Sequence, residues 1–201
     1  MNFTTTKLFT AALLLGLALT STVFASDWDV DPSHTTAQFS VRHMMVTTVR
    51  GQFDKVTGSA VLDDKDLAHS SVELKIDARS INTREPKRDA HLRSPDFFDV
   101  DKTPDILFKS TKVEKAGKNK FKVTGELTMH GVTHPVVLQV EITEPVKNPW
   151  GMTVRGVSAS GKLNRKEWGL TWNKALDAGG LLVGEEVQLQ IDTELQLKAA
   201  K

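Results

Sequence analysis

Near its C-terminus the chain reads Val187-Gln188-Leu189-Gln190-Ile191-Asp192-Thr193-Glu194-Leu195-Gln196-Leu197. Val187, Leu189, Ile191, Leu195 and Leu197 alternate almost strictly with Gln188, Gln190, Asp192, Glu194 and Gln196. That is the two-residue period of a strand with one face buried and the other in water. Working back along the chain, the same habit recurs. Val136, Leu138, Val140 and Ile142 share one parity, as do Phe121, Val123, Leu127 and Met129, and Val72, Leu74 and Ile76 alternate with charged neighbours. Phe39 and Val41 do so near the start, after a turn at Asp31-Pro32-Ser33.

Eight extended runs result, at roughly 35–47, 49–62, 70–79, 104–114, 119–129, 134–144, 152–163 and 186–198. Most connections between them are short, so neighbours are expected to pair antiparallel. One apolar face per strand over so many strands fits a sandwich or a closed barrel. Gly51 and Gly58 in the second run read as sites of bends or bulges. The run at 152–163 is poor in large residues, since Ser158, Ala159, Ser160 and Gly161 are all small. Residues 164–185 form a long irregular connection, the usual mark of a binding loop or lid.

One stretch breaks the β pattern. Arg88-Asp89-Ala90-His91-Leu92-Arg93-Ser94-Pro95-Asp96-Phe97-Phe98 has helical spacing, many charges and two adjacent phenylalanines. A short helix over about 84–94 is expected, capped by Asn82 or Thr83, with Glu85 and Pro86 in its first turn. Pro95 disfavours its continuation through Ser94. An all-β chain interrupted in this way suggests a cap, with Phe97 and Phe98 as the apolar stop beneath a charged rim.

The first 25 of the 201 residues read as an address. Lys7 precedes an apolar run from Leu8 to Leu19, and Val23-Phe24-Ala25 supplies a small-residue exit with cleavage between Ala25 and Ser26. The apolar run is well short of the ~20 residues of a membrane span. Cleavage leaves residues 26–201 as a single domain of 176 residues and removes one lysine, taking the formal charge from +1 to 0. That balance gives no general reason to bind nucleic acid or an anionic membrane. No later segment is apolar enough to anchor the mature chain in a bilayer. With no cysteine, there are no disulfide staples, thiol nucleophiles or thiolate metal sites. The expected product is exported, soluble and periplasmic.

Several motifs together resemble the YceI-like family. They are Trp28-Asp29-Val30-Asp31-Pro32-Ser33-His34 with Phe39-Ser40-Val41-Arg42-His43, Arg50-Gly51-Gln52-Phe53, the Arg88–Phe98 stretch, and Pro104-Asp105-Ile106-Leu107-Phe108. Gly125-Glu126-Leu127-Thr128-Met129-His130-Gly131-Val132-Thr133-His134-Pro135 and Arg165-Lys166-Glu167-Trp168-Gly169-Leu170 complete the set, with Trp168 where that family commonly has Phe. The resemblance spans essentially the whole mature chain. It implies an all-β fold, an eight-stranded antiparallel lipocalin-like barrel, with a polyisoprenoid or similar long-chain amphiphile in its tunnel. It carries over no enzymatic reaction and no cofactor.

The inward parity is then Phe39, Val41, Val72, Leu74, Ile76, Phe108, Val123, Leu127, Leu138, Val140, Leu189 and Ile191, of which Phe39, Val41, Leu74, Ile76, Phe108, Val123 and Leu138 are nominated as tunnel lining. Phe97 and Phe98 join them from the cap, and Trp168 and Trp172 from the late loop as an aromatic lid. The plain alternative for all of these is a packed core. Arg88, His91 and Arg165 are candidates for an amphiphile's head group, against the reading of a solvated helix face. His130 and His134 flank a hairpin rather than sharing a helix face, and His34 and His43 are far apart, so no metal site is expected. There is no Gly-x-Ser-x-Gly elbow and no phosphate-binding glycine loop. The leading expectation is a non-enzymatic carrier. Alternatives are a binder of fatty acid, fatty amide or quinone, a hydrolase or isomerase acting on such lipids through a buried pair such as His91 with Asp89 or Asp96, or a stress protein working through partners. The sequence allows a homodimer without demanding one.

Overall fold

The structure is a computed structural model that describes residues 25–177 and 179–199. Residues 1–24 of the expected leader lie outside the described residues. Ala25, on one side of the expected cut, opens the first strand, and Ser26 follows it there.

The strands are β1 (Ala25–Val30), β2 (Thr36–His43), β3 (Thr47–Phe53), β4 (Val56–Asp63), β5 (Ser71–Asp77) and β6 (Ile81–Asn82). After helix α1 (Pro86–Arg93) come β7 (Asp105–Gly117), β8 (Lys120–Met129), β9 (Val132–Ile142), β10 (Val146–Lys147), β11 (Thr153–Asn164) and β12 (Val183–Leu197). They build eight staves, because three staves are broken. β1 and β2 lie along the same partner, β12, and are separated by one 3-10 turn at Pro32–His34. Pro32 has no N–H for a ladder, and the Asp31 carboxylate takes up the Ser33 N–H exposed by the break. Asp54 and Lys55 separate β3 from β4, and a 3-10 turn at Ala78–Ser80 separates β5 from β6.

Every pairing is antiparallel. Going round, β1/β2 pairs with β3/β4, then β5/β6, β7, β8, β9, β11 and β12, which pairs again with β1/β2. The barrel is closed, as the family resemblance implies, and among the described residues only the two-residue β10 stands outside the ring, beside β11. Closure leaves no stave with a free edge. Tight turns close the hairpins. At His130-Gly131, between β8 and β9, both residues have positive φ (53° and 74°), the geometry that matches the twist of paired strands.

Three expectations are corrected in detail. The helix cap is Glu85, whose carboxylate accepts the N–H groups of Lys87 and Arg88, with Pro86 at the first helical position. Asn82 belongs to β6, and the Thr83 hydroxyl is committed to Asp89. Gly51 and Gly58 are not bulges: each sits in unbroken register, opposite Phe39 and Leu74 respectively, and faces the barrel interior. The late connection is also less irregular than expected, since Arg165–Trp168 form a 3-10 turn directly after β11.

Candidate functional site

The interior of the barrel holds two apolar cavities, one of about 160 Å³ toward α1 and the late loop, the other of about 120 Å³ toward the opposite end. Phe39, Val41 and Ile76 line the first, together with Phe97 and Phe98. Val123 lines the second. Leu74, Phe108 and Leu138 face both. Ile191 is the fourth side chain common to the two. Eight strands give a lumen just wide enough to fill with side chains or to hold one slender ligand, and here space remains.

Large inward side chains lie beside inward glycines. A Cβ on Gly51 would stand 2.5 Å from the Phe39 ring, one on Gly125 2.4 Å from the Phe108 ring, and one on Gly161 2.8 Å from Leu138 Cδ2. The glycines therefore let these side chains lie back against the wall, where alanine would push them toward the axis.

The first cavity is covered by the stretch that interrupts the β pattern. Phe97 is buried and Phe98 half-buried, and both rings face the barrel: Phe98 meets Phe53 edge-on at 5.7 Å. Phe97 packs against Trp172 of the late loop at 5.4 Å, and His91 stands edge-on to both, at 5.1 Å and 4.7 Å. Cap and late loop therefore meet at one cluster of three rings over the lumen.

The charges of α1 fasten it to the rim. Asp89 points inward, is buried, and accepts hydrogen bonds from the Thr83 N–H and hydroxyl. Arg88 donates to the Thr83 hydroxyl and carbonyl oxygens, and Arg93 donates to the carbonyls of Arg79 and Ile81. Arg165, although it lines the first cavity, is also spoken for. It is 4% exposed and donates to the carbonyls of Gly184, Leu170 and Val183. Burial lowers its pKa from the usual arginine value, opposed by the nearby Glu185 carboxylate. Of the three head-group candidates, Arg88 and Arg165 thus spend their donors on the chain itself, while His91 reaches the surface and bonds Asp96 at 2.8 Å.

Trp168 has a different place from the expected lid. It is fully buried, its indole N–H donates to the Leu127 carbonyl at 2.9 Å, and it borders neither cavity. His134 stands edge-on to it at 5.3 Å, and His130 Nδ1 donates to its carbonyl oxygen. The two histidines that invited a metal reading instead pin this anchor. Asp31, His34 and Glu194 do gather on the outer surface, with ligand atoms within 4.8 Å of one another. Their chemistry there is a hydrogen-bonded turn: the Ser33 hydroxyl and then His34 hold the Asp31 pKa down to about 2, and Asp31 raises that of His34.

Sequence reasoning missed much of the second cavity's wall. Leu62, Leu67 and Leu195 line it. Leu195 was on display in the alternation of β12, and Leu62 follows the inward parity of β4. Leu67 sits in a 3-10 turn and left no periodic signal.

A closed eight-stranded antiparallel barrel around an apolar lumen, roofed by a helix and a long loop, defines the class: a barrel built to enclose rather than to present a surface. A sequence profile of the YceI-like domain matches residues 28–195, and the chain belongs to that family. A UPF0312 protein of Vibrio parahaemolyticus is 36% identical over 147 residues, covering 72% of this chain and 78% of the relative. One from Staphylococcus aureus is 32% identical over 173 residues, covering 86% and 98%. Among solved structures, the YceI protein of Campylobacter jejuni is 30% identical with a TM-score of 0.67, over 79% of this chain and 90% of that one. A polyisoprenoid binding domain from Saccharophagus degradans shares the fold at 14% identity, with a TM-score of 0.65 over 85% and 98%.

Proposed function

We propose that this protein is an exported, periplasmic, non-catalytic carrier that holds a polyisoprenoid-type or other long-chain amphiphile in its lumen. The observation that carries the reading is the lumen itself: two apolar cavities in line, sharing four wall residues, in a barrel whose core could have been filled. Each CH₂ taken from water into such a space contributes about 0.8 kcal/mol, so a long chain is the ligand such a lumen rewards most. The polyisoprenoid-binding relative in Saccharophagus degradans supports the same ligand class.

An enzyme acting on such a lipid would call for a buried acid–base pair at the mouth. The pair at hand, His91 with Asp96, is formed but open to water, with side-chain exposures of 38% and 55%, and Asp89 turns away from it toward Thr83. That arrangement favours holding over chemistry. The test is solvent extraction of the protein purified from the exported fraction without detergent, with identification of the extract by mass spectrometry. A long-chain amphiphile near one per protein is expected. An isoprenoid would separate the leading reading from a fatty acid, fatty amide or quinone, and an extract without lipid would refute the carrier.

A further inference from the structure

Leu74, Phe108, Leu138 and Ile191 are the four side chains that face both cavities. They come from β5, β7, β9 and β12 and so stand around the lumen at one level, dividing it. Taken singly, each cavity is small: an engineered apolar cavity of about 150 Å³ takes a benzene-sized guest. A ligand much larger than that must pass between these four side chains.

Each of the four has small residues beside it. Gly58 lies directly across from Leu74, and a Cβ there would stand 2.7 Å from Leu74 Cδ2. Gly125 backs the Phe108 ring and Gly161 backs Leu138. Ile191 is flanked by Ala159 on β11 and Ala37 on β2. Four large residues at one level, each given room to lie flat, make an adjustable constriction rather than a filled core layer.

From these contacts we infer that Leu74, Phe108, Leu138 and Ile191 form a waist, with Gly58, Gly125 and Gly161 setting its aperture, and that this waist selects slim flexible chains and decides whether a ligand reaches the second cavity. The inference rests on the carrier reading and deepens it: the waist is the specificity-determining feature of that site. From Val187 to Leu195, eight steps along a tilted strand span about 20 Å of barrel axis. A short chain can stay in the first cavity, while a long one must thread the waist.

Two probes separate these cases, prenol as the benzene-sized short chain and solanesol as the long one, each added in excess to the delipidated full-length mature protein and counted by native mass spectrometry. The wild type is expected to take up both. Gly125→Ala, which drives the Phe108 ring inward, should lower solanesol relative to prenol by about ten-fold. Phe108→Leu should raise that ratio, and the double variant should return toward wild type. Gly125→Ala also brings its Cβ to 2.6 Å from the Lys109 carbonyl oxygen. Should it fail to fold for that reason, Phe108→Leu alone decides: an unchanged ratio overturns the waist. A wild type that takes prenol but never solanesol overturns it as well, while leaving the lumen as a binding site. Uptake of neither probe refutes the carrier reading itself.

Discussion

Trp168→Ala should be among the most damaging single truncations in this chain, and the structure gives its size. The residue is wholly buried, and its indole N–H meets the Leu127 carbonyl. A buried tryptophan removes about 150–250 Å² from water, and truncations of such residues cost about 3–5 kcal/mol. Leaving the Leu127 carbonyl without its donor adds about 1 kcal/mol. The total is about 5 kcal/mol. For a chain of this size each kcal/mol moves Tm by about 2–4 °C, so the expected drop is about 10–20 °C. Trp168→Phe keeps most of the ring and should lose only about 1–2 kcal/mol. Trp150 provides the control. It is 81% exposed, and its alanine variant should stay within about 0.5 kcal/mol of wild type. Thermal unfolding of the delipidated protein followed by circular dichroism makes the comparison. A Trp168→Ala variant melting no lower than Trp150→Ala would show that Trp168 anchors nothing.

Four further outcomes follow from the same contacts. Replacing Phe97 and Phe98 together by Ala should speed release of bound solanesol into excess empty liposomes by at least ten-fold. Glu85→Lys, which removes only a helix cap worth about 1 kcal/mol, should change release less than about two-fold. Asp31 has its pKa lowered from 3.8 to about 2, so its contribution is complete above the ordinary value and fades as pH falls through the lowered one. Asp31→Asn should therefore cost at most about 2 kcal/mol in urea unfolding near neutral pH. The gap from wild type should close by about pH 2. Asp89→Ala leaves two buried Thr83 donors without an acceptor and should cost about 2–3 kcal/mol, read as faster tryptic cutting at Arg88 and Arg93.

What the sequence made legible follows from which contacts are periodic. The alternation of β12 and its seven companions depends only on one face being buried, so the staves and the inward set from Phe39 to Ile191 could be read directly. The role of the glycines could not. That Gly125 backs Phe108 and Gly161 backs Leu138 is a matter of register between strands, which no single strand displays. The late loop was legible as a loop, but its path was not. Trp168 turns inward because its indole finds the Leu127 carbonyl on β8, 41 residues away in the chain, and Trp172 stays at the cap with Phe97. Arg88 and Arg165 looked like free cations because the carbonyls that occupy them belong to the backbone, and backbone acceptors leave no mark in a sequence.

Native mass spectrometry of the protein, isolated from its producing cells without detergent, bears most directly on the central claim. A folded species carrying the added mass of one long-chain amphiphile, shed on collisional activation, is the predicted result. A folded protein that is entirely free of bound lipid, and that accepts no solanesol when it is offered, would contradict the account.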